Sequence, residues 1–323
     1  MSNPEHTRNG HESNTVLELR TQMKILILGK NGQVGRELEQ FLAKSTEVIA
    51  LSRNDKGGDL TNIKEMVEFI TQYQPDIIFN AAAYTAVDKA ESEFCIADLV
   101  NHQAVEALAS VCAKTNALLV HYSTDYVFDG SGNTPRSETS IPNPINTYGK
   151  TKLNGEISIS KSNCKALIFR TSWVYASHGK NFIKTIIRLS KDREELKVVD
   201  DQIGAPTSAS FIASASAELA LRARNREHDL IGTYNLVPNG TVSWYGLAEH
   251  VISYLRKNQG INMKVRKILP IPSMDFPTPA KRPLNSRLDN QKLSKVLKNN
   301  ILNWETYVDA VLDELIKQER THE

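Results

Sequence analysis

The chain has 323 residues, enough for one large α/β unit or for a main domain with a smaller lobe. Its 39 Lys and Arg nearly cancel 37 Asp and Glu with no basic block, which excludes the electrostatic footprint of a nucleic-acid binder. No apolar run reaches the roughly 18–20 residues of a membrane span, and the three cysteines lack the spacing of a zinc site or a disulfide scaffold.

Residues 1–22 are polar and charged, without the apolar stretch of a signal peptide; they read as a flexible extension, with the fold expected to start near Met23. Cys95, Cys112 and Cys164 read as free thiols of a reducing cytosol, so a cytoplasmic protein is expected. From Lys24 short β-rich apolar runs alternate with helical patterns: KILIL then QVGRELEQFLAK, EVIAL then NIKEMVEFITQY, DIIFNAAA then a helix through VEALASVCAK, and ALLVHYS. The rhythm continues through a helix at TYGKTKLNGEIS, a strand ALIFRTSW, a helix NFIKTIIRLSK and a strand LKVVD. Such alternation predicts a Rossmann-like, doubly wound parallel sheet covered on both faces.

Past Gly204 come a helix FIASASAELALRA, a strand TYNLV, a helix SWYGLAEHVISYLRK and a final helix near WETYVDAVLDELIKQ. Between the last two, LPIPSMDFPTPAKRP is barred by its prolines from regular helix or central strand, and reads as a loop over the active-site mouth. The expected division is residues 23–203 as mainly a dinucleotide-binding domain and 204–323 as mainly a smaller substrate lobe, with some elements interleaved.

The first strand runs into GKNGQVG, which sets Gly29, Gly32 and Gly35 at three-residue spacing where a helix begins. Glycines let a pyrophosphate approach the backbone, and the helix N-terminus supplies free N–H groups and a favourable dipole. A tight strand-to-helix turn would use the same glycines; the position after the first strand favours the binding reading. The second strand ends on Ser52-Arg53, where an acid would accept bonds from both ribose hydroxyls of NAD and repel a 2′-phosphate. Ser52, Arg53 and Lys30 offer a phosphate a hydroxyl and two cations, which predicts NADPH as preferred cofactor with NADH as an alternative. Asp55 opposes that bias if its loop turns toward the ribose.

Tyr148 and Lys152, four residues apart, share one face of a helix. Among ten tyrosines one such pair arises by chance, so the pair gains weight only from Ser123-Thr124-Asp125 at the end of ALLVHY, on the ligand-binding edge of the sheet. A phenol is a weak acid at neutral pH, and a neighbouring ammonium that brings it to neutrality supplies about 4 kcal/mol. Lys152 is therefore expected to lower the pKa of Tyr148, with Thr124 holding a carbonyl oxygen.

GKNGQVG, NAAAYTAVDKAESE, HYSTDYVFDG, YGKTK, RTSWVYA, DQIGAPT and PTPAKRPLNSRL together resemble the dTDP-4-dehydrorhamnose reductase family, of the extended short-chain dehydrogenase/reductase fold. The resemblance implies reduction of the C4 ketone of a dTDP-4-keto sugar by a nicotinamide, giving dTDP-L-rhamnose for bacterial surface polysaccharide. It makes Tyr148 the proton donor, Lys152 its activator and a ribose ligand, and Thr124 the tuning hydroxyl. Gly32, Gln33 and Val34 would line the pyrophosphate, Asp59 and Leu60 the adenine, and Ala83, Tyr84, Thr85 and Tyr122 the rest of the cofactor wall. Thr124, Asp125, Trp173, Arg282 and Asn285 would meet the substrate, although Trp173 also suits core packing and Arg282 a solvated loop.

No metal is expected; Glu194-Glu195 reads as a charged turn, although some relatives place a divalent ion at a dimer interface there. A homodimer is left open. Two other functions share the resemblance: a sugar-nucleotide 4-epimerase, which regenerates its cofactor each turnover, and the non-catalytic regulatory subunit of methionine adenosyltransferase. The second predicts lost catalytic groups, whereas Thr124, Tyr148 and Lys152 are all present.

Overall fold

The computed structural model describes residues 23–43, 47–225, 227–258 and 261–320; the extension expected over residues 1–22 lies outside them. The chain runs through β1 (Lys24–Leu28), α1 (Gln33–Leu42), β2 (Glu47–Leu51), α2 (Ile63–Tyr73) and β3 (Ile77–Asn80). Two short helices, α3 (Val87–Ala90) and α4 (Phe94–Asp98), and a π-helical turn (Leu99–Gln103) lead into α5 (Ala104–Thr115). Next come β4 (Leu118–Thr124), α6 (Thr147–Lys161), β5 (Ala166–Thr171) and β6 (Val174–Tyr175). They are followed by α7 (Phe182–Asp192), β7 (Glu195–Val199), β8 (Ile203–Gly204), β9 (Thr207–Ser208), α8 (Ala209–Arg224) and β10 (Gly232–Asn235). The last are β11 (Val242–Ser243), α9 (Trp244–Lys257), β12 (Lys267–Ile271), α10 (Gln291–Val296) and α11 (Trp304–Arg320).

Six strands form a parallel sheet in the order β10-β5-β4-β3-β1-β2. Their side chains alternate between two cores, as the pleat requires. Ile25, Ile27, Ile77, Phe79, Leu167 and Phe169 join Leu38 of α1 and Phe211 of α8 on one face. Leu26, Leu28, Ile78, Leu119 and Ile168 join Met66 of α2 and Leu108 of α5 on the other. The doubly wound parallel sheet expected from the sequence is thus present. The strand order reverses between β1 and β3, and the crevice beyond the carboxyl ends of strands at such a switch point is where ligands bind.

A third apolar cluster joins Ile183 and Ile187 of α7, Leu196 and Val198 of β7, Val251 and Leu255 of α9, and Leu312 of α11. Two expectations need correction here. LKVVD does not extend the sheet: β7 pairs in parallel with β12, buried on alternate residues only, and TYN of β10 takes the outer place beside β5. The first residues of LPIPSMDFPTPAKRP are likewise a strand, because β12 is an edge that tolerates Pro270, lacking an N–H. α7 and β7, before residue 204, pack with the third cluster, while α8 and β10, after it, pack on the sheet. Glu194 and Glu195 stand exposed at the start of β7. Among the described residues no helix is long and apolar enough to cross a membrane.

One buried ion pair locks α6 onto the sheet. Arg170 of β5 donates Nη2 to Glu156 Oε2 at 2.6 Å and Nε to Glu156 Oε1 at 3.0 Å, and Ser123 of β4 donates to the same carboxylate at 2.5 Å. Glu156→Ala, which leaves a guanidinium buried without its counter-charge, is expected to cost about 3–5 kcal/mol in chemical denaturation. Glu156→Ala/Arg170→Met recovers part of that loss, because the uncompensated charge is gone; equal losses in both variants would show that packing, not charge, is at stake.

Candidate active site

A cleft of about 890 Å³ opens along the carboxyl ends of β1 to β5. At its floor, β1 passes directly into the glycine turn. Gly29 takes φ +91°, and a Cβ there would meet Ala82 N at 2.7 Å; a Cβ on Gly35 would meet Gly29 O at 2.1 Å. No other residue type lets the turn, α1 and the chain after β3 approach so closely.

Side chains cap α2, α6, α7, α8 and α9 through Asn62, Asn146, Asn181, Ser208 and Ser243. The N-terminus of α1 instead begins at Gly32 with no side-chain cap and no acid in its first turn. Gly32, Gln33 and Val34 line the cleft there, so the helix dipole and free N–H groups face open space. That donor set fits the pyrophosphate of a dinucleotide. The Gln33 side chain is already engaged, since Oε1 accepts from Asn181 Nδ2 at 2.8 Å.

Ser52, Arg53, Asp59 and Leu60 line the far end of the cleft, as expected. The missing acid of the strand tip is supplied three residues later. Asp55 Oδ2 accepts from Ser52 N at 2.7 Å and Ser52 Oγ at 2.8 Å, and pairs with Lys30 Nζ at 2.9 Å. The Lys30 ammonium and the Ser52 groups hold the Asp55 carboxyl down at about 2. Arg53 lies nearest Asp59, with Nε 3.6 Å from Oδ2 and a side chain 73% exposed. Lys30 is not among the cleft-lining residues.

Ala83, Tyr84 and Thr85 form the wall after β3. Asn101, in the π-helical turn, orders this wall: its Oδ1 accepts from Tyr84 N at 2.9 Å and its Nδ2 donates to Tyr84 O at 3.0 Å. Such turns often mark functional sites, yet nothing in the sequence LVNHQ singles Asn101 out. The Tyr122 ring belongs to the sheet core, its hydroxyl 2.6 Å from Ser216 Oγ, and its carbonyl accepts from Lys152.

Tyr148, Lys152, Thr124 and Asp125 all line the cleft. Tyr148 is set edge-on against Tyr126, with ring centroids 5.7 Å apart. Thr124 Oγ1 donates to Asp125 Oδ1 at 3.1 Å and accepts from Tyr126 N at 3.2 Å. Lys152, 2% exposed, donates to Tyr122 O at 2.6 Å, with Nζ 3.3 Å from the ring nitrogen Nε2 of His121. His121 in turn lies 3.2 Å from Asn80 Nδ2.

Electrostatically the site departs from expectation. Burial pushes the Tyr148 phenol up, with the Thr124 hydroxyl pulling the other way, so Lys152 does not depress it here. Burial likewise brings Lys152 down to about 8, opposed by the charge of Glu156, and it brings Asp125 up to about 6, opposed by Ser286 and Thr124. The reason is geometric: the Lys152 ammonium is directed at a carbonyl and an imidazole, and desolvation is the larger effect on each group.

Trp173 lines the cleft and stacks on Trp244, a residue the sequence reading did not single out. Arg282 and Asn285 are not among the lining residues. Arg282 Nη2 donates to Asp88 Oδ2 at 2.8 Å, and its Nη1 is buried without a partner. Asn285, 2% exposed, holds a loop by donating to Thr134 O at 2.9 Å and accepting from Arg287 Nη1 at 3.0 Å.

A family profile described as "RmlD substrate binding domain" matches residues 23–317. A dTDP-4-dehydrorhamnose reductase of Escherichia coli (strain K12) is 46% identical over 295 residues, covering 91% of this chain and 98% of that protein. A Shigella flexneri protein of the same name is 45% identical over equal shares. A solved dTDP-4-dehydrorhamnose reductase from Bacillus anthracis str. Ames, in complex with NADP, superposes with a TM-score of 0.83 at 34% identity, covering 91% of this chain and all of that one.

The raised Asp125 carboxyl has a signed consequence for stability. An acid whose folded value lies above its unfolded one binds its proton more tightly in the native state, so the native state loses ground as pH rises. For Asp125 the cost is absent below the ordinary 3.8 and fully present above about 6. Asp125→Asn is expected to flatten the fall in stability across that window and to stabilise the protein at pH 7 by up to about 3 kcal/mol. Urea denaturation at a series of pH values measures this; an unchanged slope would show that Asp125 ionises freely.

Proposed function

The chain belongs to the dTDP-4-dehydrorhamnose reductase family, and from that membership we propose that it reduces the C4 ketone of dTDP-4-dehydro-L-rhamnose, preferably with NADPH, to dTDP-L-rhamnose. It is an oxidoreductase. One observation carries the reading: Thr124, Tyr148 and Lys152 share a single cleft with the uncapped N-terminus of α1.

The nicotinamide, when bound, supplies the hydride. The N–H groups of α1 at Gln33 and Val34 would hold its pyrophosphate, and Lys152 would meet its ribose. Thr124 orients the ketone oxygen, and Tyr148 donates its proton to that oxygen as negative charge develops. At pH 7 the phenol is protonated and so in the form that donates, while the burial that raises it weakens it as an acid. Lys152 is still an ammonium at pH 7 and would meet the ribose as a cation. Asp125 and Trp173 bind the sugar nucleotide from within the cleft. Arg282 has no part in this reading, because it pairs with Asp88 outside the cleft lining. Asn285 has no part in this reading, because its amide is committed to the loop. The third apolar cluster serves as the substrate lobe.

Tyr148→Phe is expected to cut turnover about 10²-fold or more with cofactor affinity nearly unchanged, the scale of a lost general acid. The assay follows net loss of NADPH with a dTDP-4-keto-6-deoxy sugar and identifies the product. Sugar interconversion without net oxidation would instead support the epimerase reading, and partner binding without turnover the regulatory one.

NADPH preference rests on Arg53 and on the absence of an acid at the tip of β2. With Asp55 already holding Ser52 and Lys30, the bias is expected near the low end, about tenfold, for one charge-assisted contact weakened by solvent screening. Ser52→Asp/Arg53→Ala should move kcat/KM toward NADH. A parent that prefers NADH, or a double variant that keeps the parental ratio, refutes the assignment of these residues and leaves the reductase reading intact.

A further inference from the structure

Trp173 has φ +49°, a left-handed conformation that a bulky side chain adopts only where its surroundings impose it. Its indole lies face to face with that of Trp244, centroids 3.5 Å apart and planes within 12°. Free aromatic rings prefer an offset or edge-on arrangement at larger separation. The surrounding framework, rather than ring attraction, therefore sets this pair.

That framework converges from separate parts of the chain. The indole of Trp173 rests on Gly204, where a Cβ would lie 2.7 Å from Cε2. β11 pairs with β8, so that Ser243 and Val242 stand opposite Ile203 and Gly204 and bring Trp244 to the same place. Trp244 Nε1 donates to Gln202 Oε1 at 3.2 Å, and Phe182 packs on Trp244 with centroids 4.6 Å apart. Ser243 Oγ donates to Asp200 Oδ1 at 2.5 Å, and Thr207 N donates to Trp173 O at 3.3 Å. Both indoles are half-buried, and both line the cleft.

We propose that Trp244 is a positioning residue for the nucleotide sugar: braced by Gln202 and Phe182, it presets the indole of Trp173 as a fixed wall of the substrate end of the cleft. Gly204 is the matching support on the lobe. The inference rests on the reductase reading for the identity of the ligand. Strain held at Trp173 is then ordering done before the substrate arrives, so it acts on binding more than on the chemical step.

The test compares Trp244→Leu, Trp244→Phe and Gly204→Ala with the parent by three measurements: the circular-dichroism exciton couplet of stacked indoles, the Kd for dTDP-L-rhamnose by calorimetry, and the KM and kcat for the keto sugar. Trp244→Leu should lose the couplet and raise both Kd and KM about tenfold, with kcat within about threefold. Trp244→Phe, which can still stack, should restore Kd and KM to within about threefold of the parent. Gly204→Ala presses on the indole from the other support and should weaken Kd as Trp244→Leu does, which decides the matter if Trp244→Leu does not fold. An unchanged Kd and KM in Trp244→Leu overturns the proposal, as does an equal loss in Trp244→Phe and Trp244→Leu or a loss confined to kcat. A parent that binds dTDP-L-rhamnose but turns nothing over overturns the reductase reading alone, and the Kd series still judges Trp244. A parent that binds no dTDP-sugar overturns both.

Discussion

The arrangement of Thr124, Tyr148 and Lys152 depends on the buried pair between Glu156 and Arg170. Glu156 sits one helical turn beyond Lys152 on α6, and Arg170 lies on β5. Their contact, with Ser123 donating to the same carboxylate, fixes the helix that carries Tyr148 and Lys152 against the strand end that carries Thr124. An ion pair so deeply buried gains little net stability, because desolvation offsets attraction. What it supplies here is register: slippage of α6 by a turn would leave two charges buried apart. Glu156 also sits close enough to oppose the lowering of pKa that burial imposes on Lys152.

A second constraint is steric. The turn after β1, the start of α1 and the chain after β3 meet at distances only glycine allows, with the Gly35 Cα beside the Gly29 carbonyl. This close approach brings the N-terminus of α1 to the point where the strand order reverses. The cleft therefore receives, from backbone geometry alone, a cluster of unsatisfied N–H groups aimed at an anion. Its far end is electrically balanced, with Lys30 paired to Asp55 and Arg53 nearest Asp59. Cofactor choice there is a matter of which internal partner yields to a phosphate.

Burial runs through the end of the cleft that holds Tyr148 and Lys152 as a single theme. It raises Tyr148 and Asp125 and lowers Lys152, so each group is held away from its charged form by the same exclusion of water. At pH 7 the phenol is in the neutral form that donates a proton with or without this shift. The strained Trp173 is a further part of that pre-set ordering, as is the π-helical turn that directs Asn101 at the Tyr84 backbone.

The sheet and its helices were legible because their signals are local: apolar runs with strand period, helical periodicity between them, and glycines at the first turn. Thr124, Tyr148 and Lys152 were legible for the same reason, each standing at a strand end or at helical spacing in a recognisable stretch. Tertiary structure alone decided the rest. It put LKVVD beside KILPI rather than in the sheet, since an edge ribbon and a sixth strand have the same local pattern. It sent the amide of Asn285 into its own loop, and it folded Asp55 back onto Ser52 and Lys30. It also joined Trp173, Gly204 and Trp244, which lie in three separate stretches of the chain. Hydrogen-bond partners and ring contacts between distant segments leave no period in a sequence, because they are set by how whole layers pack and by which buried charge finds a counter-charge first.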